Sequence, residues 1–305
     1  MTYRTRIVAG LSLLVGAVAA CSNPSEPAES EAAAAPERVL TLYSSRHYDS
    51  DKALYAMFEE ETGAKLAVRE AGASQLLETM KAEGDQSPAD IVLAADVGSL
   101  WRFRDAGLTQ ALESDTLETL VPANYRGAAG HWYGVARRMR GIAYDPSRWD
   151  AEQLATWPTL AAEDKAGEIC VRSSSNIYNL SLMGEKINRL GTEDAQDWAT
   201  AIVANMARNP QGGDTDQIRA IAAGECSIAI VNHYYWVRLG ASDSEADQNV
   251  AASTSFLFPE FVEGSGSHVN ITGAAITTSA EDTALDVYGE NQAEAQRLFD
   301  LAGWN

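Results

Sequence analysis

Short apolar runs recur along this chain, and each is followed by a stretch with helical spacing. Val39-Leu-Thr-Leu-Tyr43 predicts a strand. From Ser50 the apolar positions Leu54, Met57 and Phe58 share one helix face, and Gly63 stops the helix. A second strand is expected over 65–69, followed by a helix over 74–83 capped by Ser74 and ended at Gly84. A third strand covers 91–94, with Asp90 and Asp96 on either side. Strands alternating with helices predict parallel pairing under covering helices, an α/β fold.

The rhythm breaks at 134–144, an extended basic stretch (Val135-Ala-Arg-Arg-Met-Arg-Gly-Ile-Ala-Tyr144) with no periodic helix after it. Such a stretch reads as a crossing into a second lobe, where the alternation resumes. Expected there are a strand over 169–172, the polar turn 173–178, and helices from about 179, over 193–208 and over 214–223. A strand over 227–231 follows. Residues 256–261, with Pro259 inside, look like a return crossing, 269–276 rejoins the first lobe, and a helix from about 291 to 302 closes the chain. The expected division is lobe 1 at 38–135 plus about 265–282, and lobe 2 at 136–264 plus about 283–305.

The first residues do not belong to this pattern. Arg4 and Arg6 precede an apolar run over 7–20 that closes on Val18-Ala-Ala-Cys21, so 1–20 reads as a secretory signal peptide. The run is short for a membrane span. A cysteine directly after small residues resembles the bacterial lipobox, which makes Cys21 an expected lipidation site and the anchor of a membrane-tethered lipoprotein. Residues 21–37, rich in Ser, Pro, Glu and Ala, read as a flexible tether. The net charge of −20 excludes nucleic acid as a favoured partner, because phosphate binding needs a basic face. With Cys21 set aside, Cys170 and Cys226 remain. In an oxidising compartment an even pair suggests a disulfide, with two buried thiols as the other reading.

Three of the predicted strands end in aromatic hydroxyls. One gives His47 and Tyr48, one Tyr178, and one Tyr234 and Tyr235. Ligands of open α/β sheets gather beyond the carboxyl ends of strands. A tyrosine pair alone is more often packing with its hydroxyls at the wet edge. A phenol with a pKa near 10 gives up its proton only to a strongly Lewis-acidic cation. Hard cations prefer oxygen, so convergent phenolates point to ferric iron rather than to zinc, which favours Cys or His at characteristic spacings.

Tyr43-Ser-Ser-Arg-His-Tyr48, Arg172-Ser-Ser-Ser-Asn-Ile-Tyr-Asn179 and Asn232-His-Tyr-Tyr235, in that order, resemble the ferric-iron-binding proteins that serve bacterial ABC importers. These are a branch of the two-lobed, transferrin-like periplasmic binding proteins, and the likeness covers nearly all of 38–305. The resemblance implies a two-lobed periplasmic-binding-protein fold, each lobe a mostly parallel sheet covered by helices, with two crossing segments as hinge. It implies Fe(3+) held in the interlobe cleft by Tyr48, Tyr178, Tyr234 and Tyr235, with His47 as an optional metal ligand. It further implies a monomeric periplasmic protein that is not an enzyme and whose partner is an ABC permease in the inner membrane. Trp236 stands where close relatives often place another tyrosine.

Three or four phenolates on Fe(III) leave a neutral or negative centre, and arginine is the natural countercharge around them. Arg138, Arg140 and Arg172 are the candidates for that second layer, with Arg46 weaker; His131, His233 and His268 read as structural or exposed. Two other functions stay open. One is a binding protein of the same fold for a small anion clamped by these arginines. The other is a lipid-anchored enzyme, which the absence of a Gly-x-Ser-x-Gly elbow disfavours.

Overall fold

The computed structural model of the chain describes residues 38–280. The expected signal peptide, Cys21 and its tether, and the closing helix with the rest of the 283–305 tail lie outside the described residues.

The opening alternation is present: β1 (Val39–Ser44), α1 (Asp49–Thr62), β2 (Lys65–Glu70), α2 (Ala73–Glu83), β3 (Ile91–Ala94) and α3 (Val97–Asp105). β1 pairs in parallel with both β2 and β3. Gly63 ends α1 with φ 68°, a left-handed conformation that glycine adopts without a Cβ clash. Ser74 does not cap α2. The helix starts one residue earlier, after Gly72, and the Ser74 hydroxyl accepts from Arg102 Nη1 at 3.2 Å instead.

After the short α4 (Asp115–Leu120), the expected crossing is β4 (Tyr133–Tyr144), a strand of 12 residues. Then come β5 (Ile169–Cys170), α5 (Ile177–Leu190), α6 (Thr192–Ala204), α7 (Asp214–Ala222) and β6 (Ile228–Asn232). α8 (His233–Gly240), α9 (Glu245–Ala252), β7 (Ser255–Leu257) and β8 (Val269–Ile276) complete the described chain. The strand order is β2-β1-β3-β8-β4-β6-β5, with β7 added on β4.

Pairing is parallel within β2-β1-β3 and between β5 and β6, but β8 runs antiparallel to β3 and β4, and β4 antiparallel to β6 and β7. The antiparallel pairs follow from the connectivity: β4 leaves the first half of the sheet and β8 returns to it, so the two run side by side in opposite directions. β4 serves both halves, pairing with β8 through Tyr133–Met139 and with β6 through Arg140–Tyr144. The expected return at 256–261 is displaced. β7 still pairs with β4, and the chain re-enters the first half only with β8. β7 lies so close that a Cβ on Gly141 would stand 2.4 Å from the Phe256 ring, which is why that position of β4 has no side chain.

Each half has its own core. Tyr43, Leu76, Met80, Val92, Leu100 and Phe103 fill the first. In the second, strand alternation divides residues between two faces: Ile142, Ile169, Ile228 and Ile230 on one, Ala143, Cys170, Ala229 and Val231 on the other. Cys170 and Cys226 form the disulfide that two cysteines in an exported chain suggested, with Cα atoms 5.9 Å apart.

Lys186 of α5 is fully buried, and its ammonium lies 3.8 Å over the Trp198 ring, near Trp157 and Phe261, with no hydrogen-bond partner. Burial lowers its pKa from 10.5 to about 7, while the ring faces pull the other way by favouring the charged form. Between those two values the folded chain holds fewer protons than the unfolded one, so this residue makes stability rise with pH across that window. Chemical denaturation at several pH values is expected to show that rise in the parent and a flatter curve for Lys186→Met. Parallel curves would contradict it.

Candidate metal centre

All four expected tyrosines sit at helix starts rather than on free strand ends. Tyr48 is the residue before α1, Tyr178 is the second residue of α5, and Tyr234 and Tyr235 are the second and third of α8. Local bonds fix each start. Asp51, buried in the first turn of α1, accepts the Tyr48 N–H at 3.3 Å and pairs with Arg46 at 2.7 Å. The Asn176 side chain caps α5 by accepting the Tyr178 N–H at 3.0 Å. β6 runs straight into α8, so the two tyrosines emerge where the buried strand stops.

The hydroxyls converge. Tyr234 Oη lies 3.4 Å from Tyr48 Oη and 3.1 Å from Tyr178 Oη, and the Tyr235 ring leans on that of Tyr234 at 4.3 Å. Tyr234 has one proton to give and two oxygens beside it. A cleft of about 420 Å³ opens next to them, lined among others by Arg46, Tyr48, Arg138, Tyr178, Tyr234 and Thr272. His47 is not brought in: it is exposed, its ring stacked on Tyr48 at 5.3 Å, and it does not line the cleft.

Proton affinities within the cluster diverge. Burial raises Tyr234 and Tyr235 far above the usual phenol value, and the negative charges of neighbouring phenolates raise them further. Burial and the charge of Tyr48 likewise raise Tyr178. Burial also pushes Tyr48 upward, but hydrogen bonds from Tyr234, Tyr178 and Tyr235, with the charge of Arg46, outweigh it and leave Tyr48 below the usual value. One phenol ionises early, and its charge holds the protons on the other three.

The three arginines expected as countercharge surround the Tyr178 ring, with guanidinium carbons 5.1 Å (Arg138), 5.9 Å (Arg140) and 5.4 Å (Arg172) from its centre. Two carboxylates that the sequence did not single out as site residues share them. Asp96 accepts from Arg138 at 3.2 Å; Asp214, wholly buried, accepts from Arg140 at 2.9 Å and Arg172 at 3.4 Å, as well as from the Asn232 N–H at 2.8 Å. Arg140 is also held by Asn179, Asn232 and the Ile230 carbonyl. In the sequence Asp214 is simply the start of an amphipathic helix, and a buried acid looks like any other first-turn acid. His233 fits its structural assignment: half-buried, it accepts the Met139 N–H at 3.2 Å, and burial keeps its pKa low. His268 is buried, and its pKa is pushed down to about 4, by burial first and then by the nearby arginines. Among the described residues no group of three or more His, Cys, Asp or Glu side chains is placed to hold a metal.

A family model described as bacterial extracellular solute-binding protein matches residues 53–286. Iron uptake protein A2 of Synechocystis is 43% identical over 272 residues, covering 88% of this chain and 77% of its own length. Among solved structures, a Trichodesmium protein (IdiA, FutA) in complex with iron and citrate ligands is similar at 36% identity and TM-score 0.75, covering 88% of this chain and 100% of its own. The ferric binding protein from Campylobacter jejuni is similar at 34% identity and TM-score 0.78, with 84% and 80% covered.

Titration of the metal-free protein, followed by phenolate absorbance, is expected to show one tyrosine ionising below the ordinary range near 10. Tyr48→Phe should remove that early component. An unchanged early limb in the variant would contradict the assignment.

Proposed function

The chain belongs to the bacterial extracellular solute-binding proteins, and on that premise we propose that it captures ferric ion with Tyr48, Tyr178, Tyr234 and Tyr235 and delivers it to an ABC permease. The reading is carried by one observation: hydroxyls from three separate segments meet at Tyr234, whose Oη stands 3.4 Å from that of Tyr48 and 3.1 Å from that of Tyr178. Once Tyr48 has ionised, its charge opposes the ionisation of the others. A small trivalent cation among them changes that, because each phenolate then faces the metal charge rather than its neighbours alone.

The charges around the cluster support a trivalent ion. Four phenolates on Fe(III) carry one net negative charge. Arg138, Arg140 and Arg172, set against Asp96 and Asp214, carry one net positive charge, and Arg46 with Asp51 cancels. The sum is neutral, as a buried centre requires. A divalent ion on the same four phenolates would leave the site negative. The same pairing weighs against the anion reading, because Arg138 and Arg140 already have carboxylate partners and their guanidiniums are almost wholly buried.

In this reading lobe 1 comprises 38–135 with about 265–282, and lobe 2 is built on 136–264. Tyr48 belongs to the first, and Tyr178, Tyr234 and Tyr235 to the second, so the ion prefers the closed arrangement in proportion to the ligands it gains there. β4 and β8 act as the hinge. The closed pair of lobes is the form a permease recognises. The protein works in the periplasm, held to a membrane by acylated Cys21 and its tether. His47 is left out of the ligand set because its ring faces solvent.

Adding Fe(III) to the soluble domain is expected to produce a visible tyrosinate charge-transfer band, and Tyr234→Phe with Tyr235→Phe to abolish it. A colourless, iron-free mixture would sink the reading, and an intact band in the double variant would move the ligands elsewhere. Retention should weaken as pH falls, since protons compete for phenols that hold them tightly. Retention against a chelator that stays constant as the pH is lowered would speak against phenolate ligation.

A further inference from the structure

Asp96 gathers more of the structure than any expected ligand does. It is 1% exposed and caps α3, its Oδ1 accepting the Ser99 N–H at 3.2 Å. Its Oδ2 accepts from three elements at once: Asn270 Nδ2 of β8 at 2.7 Å, Arg138 Nη2 of β4 at 3.2 Å, and the Ser181 hydroxyl of α5. Asp96 follows β3 and belongs with the first half, whereas α5 packs through Leu182 into the core of the second. Ser181 lies three residues after Tyr178, on the same side of the helix. Arg138, held by Asp96 and by the Ile271 carbonyl at 2.8 Å, lies over the Tyr178 ring.

We propose that the Ser181–Asp96 contact is a latch that positions Tyr178 opposite Tyr48, drawing the halves together before the metal arrives. For the role of Tyr178 the proposal rests on the ferric reading above. The bonding on each side suits a contact that opens and closes. When α5 moves away, Asp96 keeps its donors from Asn270, Arg138 and Ser99, all on elements of the first half or on the crossing strands. The Ser181 hydroxyl, with one proton to donate, turns from Asp96 to the Ile177 carbonyl one turn earlier, 2.9 Å away. Neither group is stranded without a partner, so opening avoids the penalty that usually makes a buried hydrogen bond permanent. Closing exchanges the Ser181 bond to a neutral carbonyl for a stronger one to an ionised carboxylate, enough to shift an open–closed equilibrium roughly ten-fold.

Ser181→Ala tests this with little risk to the fold, because Ser181 is only half-buried and alanine is the better helix former. Solution X-ray scattering of the metal-free chain is expected to give a larger radius of gyration for the variant than for the parent, with iron-loaded forms matching. Iron transfer to a competing chelator should be about ten-fold faster from the variant. Ser181→Thr, which keeps the hydroxyl, should restore both. Identical metal-free scattering and release in parent and alanine variant overturn the latch, as does a threonine variant as open as the alanine one. A parent that takes up no iron refutes the ferric reading instead, and the metal-free scattering then still decides the latch.

Discussion

Phenolate oxygens brought together in a poorly solvated site repel one another, and the rest of this molecule is arranged around that repulsion. In the absence of a cation the cluster settles it by giving up one proton at most: Tyr48 is lowered by its neighbours' hydrogen bonds, while Tyr178, Tyr234 and Tyr235 are raised. A tyrosine set of this kind is a poor site for water, weak cations or neutral solutes. It becomes a good site only for an ion whose charge exceeds the cost of removing the remaining protons. Selectivity, in this account, comes from the high proton affinity of the empty site.

Countercharge is supplied in a tempered form. Had Arg138, Arg140 and Arg172 been unpaired, they would have drawn protons off the phenols and invited anions into the cleft. Asp96 and Asp214 take up two of the three positive charges and lock the guanidiniums against the Tyr178 ring. Buried ion pairs are seldom a source of stability in themselves. Among the buried arginines and carboxylates around the tyrosines they leave a single positive charge, which matches what a trivalent ion on four phenolates would need. The same carboxylates tie the site to the strands that cross between halves, so charge balance and closure share residues.

Much of this was visible in the chain. The alternation of apolar runs and helical spacing marked β1 to β3 and β6 within a residue, and Gly63 ended α1 where its backbone freedom is used. The tyrosines stood out because three predicted strands were each followed by one within a short polar stretch. What the pattern could not show were relations between distant segments. The sequence marks β4 as a crossing and β8 as the segment that rejoins the first lobe, but their antiparallel pairing depends on the route of the chain, not on composition. In the sequence Asp96 only flanks a strand and Asp214 only opens a helix, and packing alone reveals that they are buried beneath arginines. Lys186 falls at a plausible solvent position of α5, yet three aromatic rings from separate segments enclose it. Ser74 was read as a cap from local spacing, and a long-range partner, Arg102, claimed its hydroxyl.

The central claim is that several deprotonated tyrosines bind one trivalent ion. Resonance Raman spectroscopy of the iron-loaded protein, excited within its visible absorption, tests this most directly, with ring-deuterated tyrosine incorporated as a control. The account predicts strongly enhanced phenolate ring modes that shift with the isotope and largely vanish when Tyr234 and Tyr235 are both phenylalanine. Enhanced modes insensitive to tyrosine labelling would contradict it, because the metal would then be held by other groups.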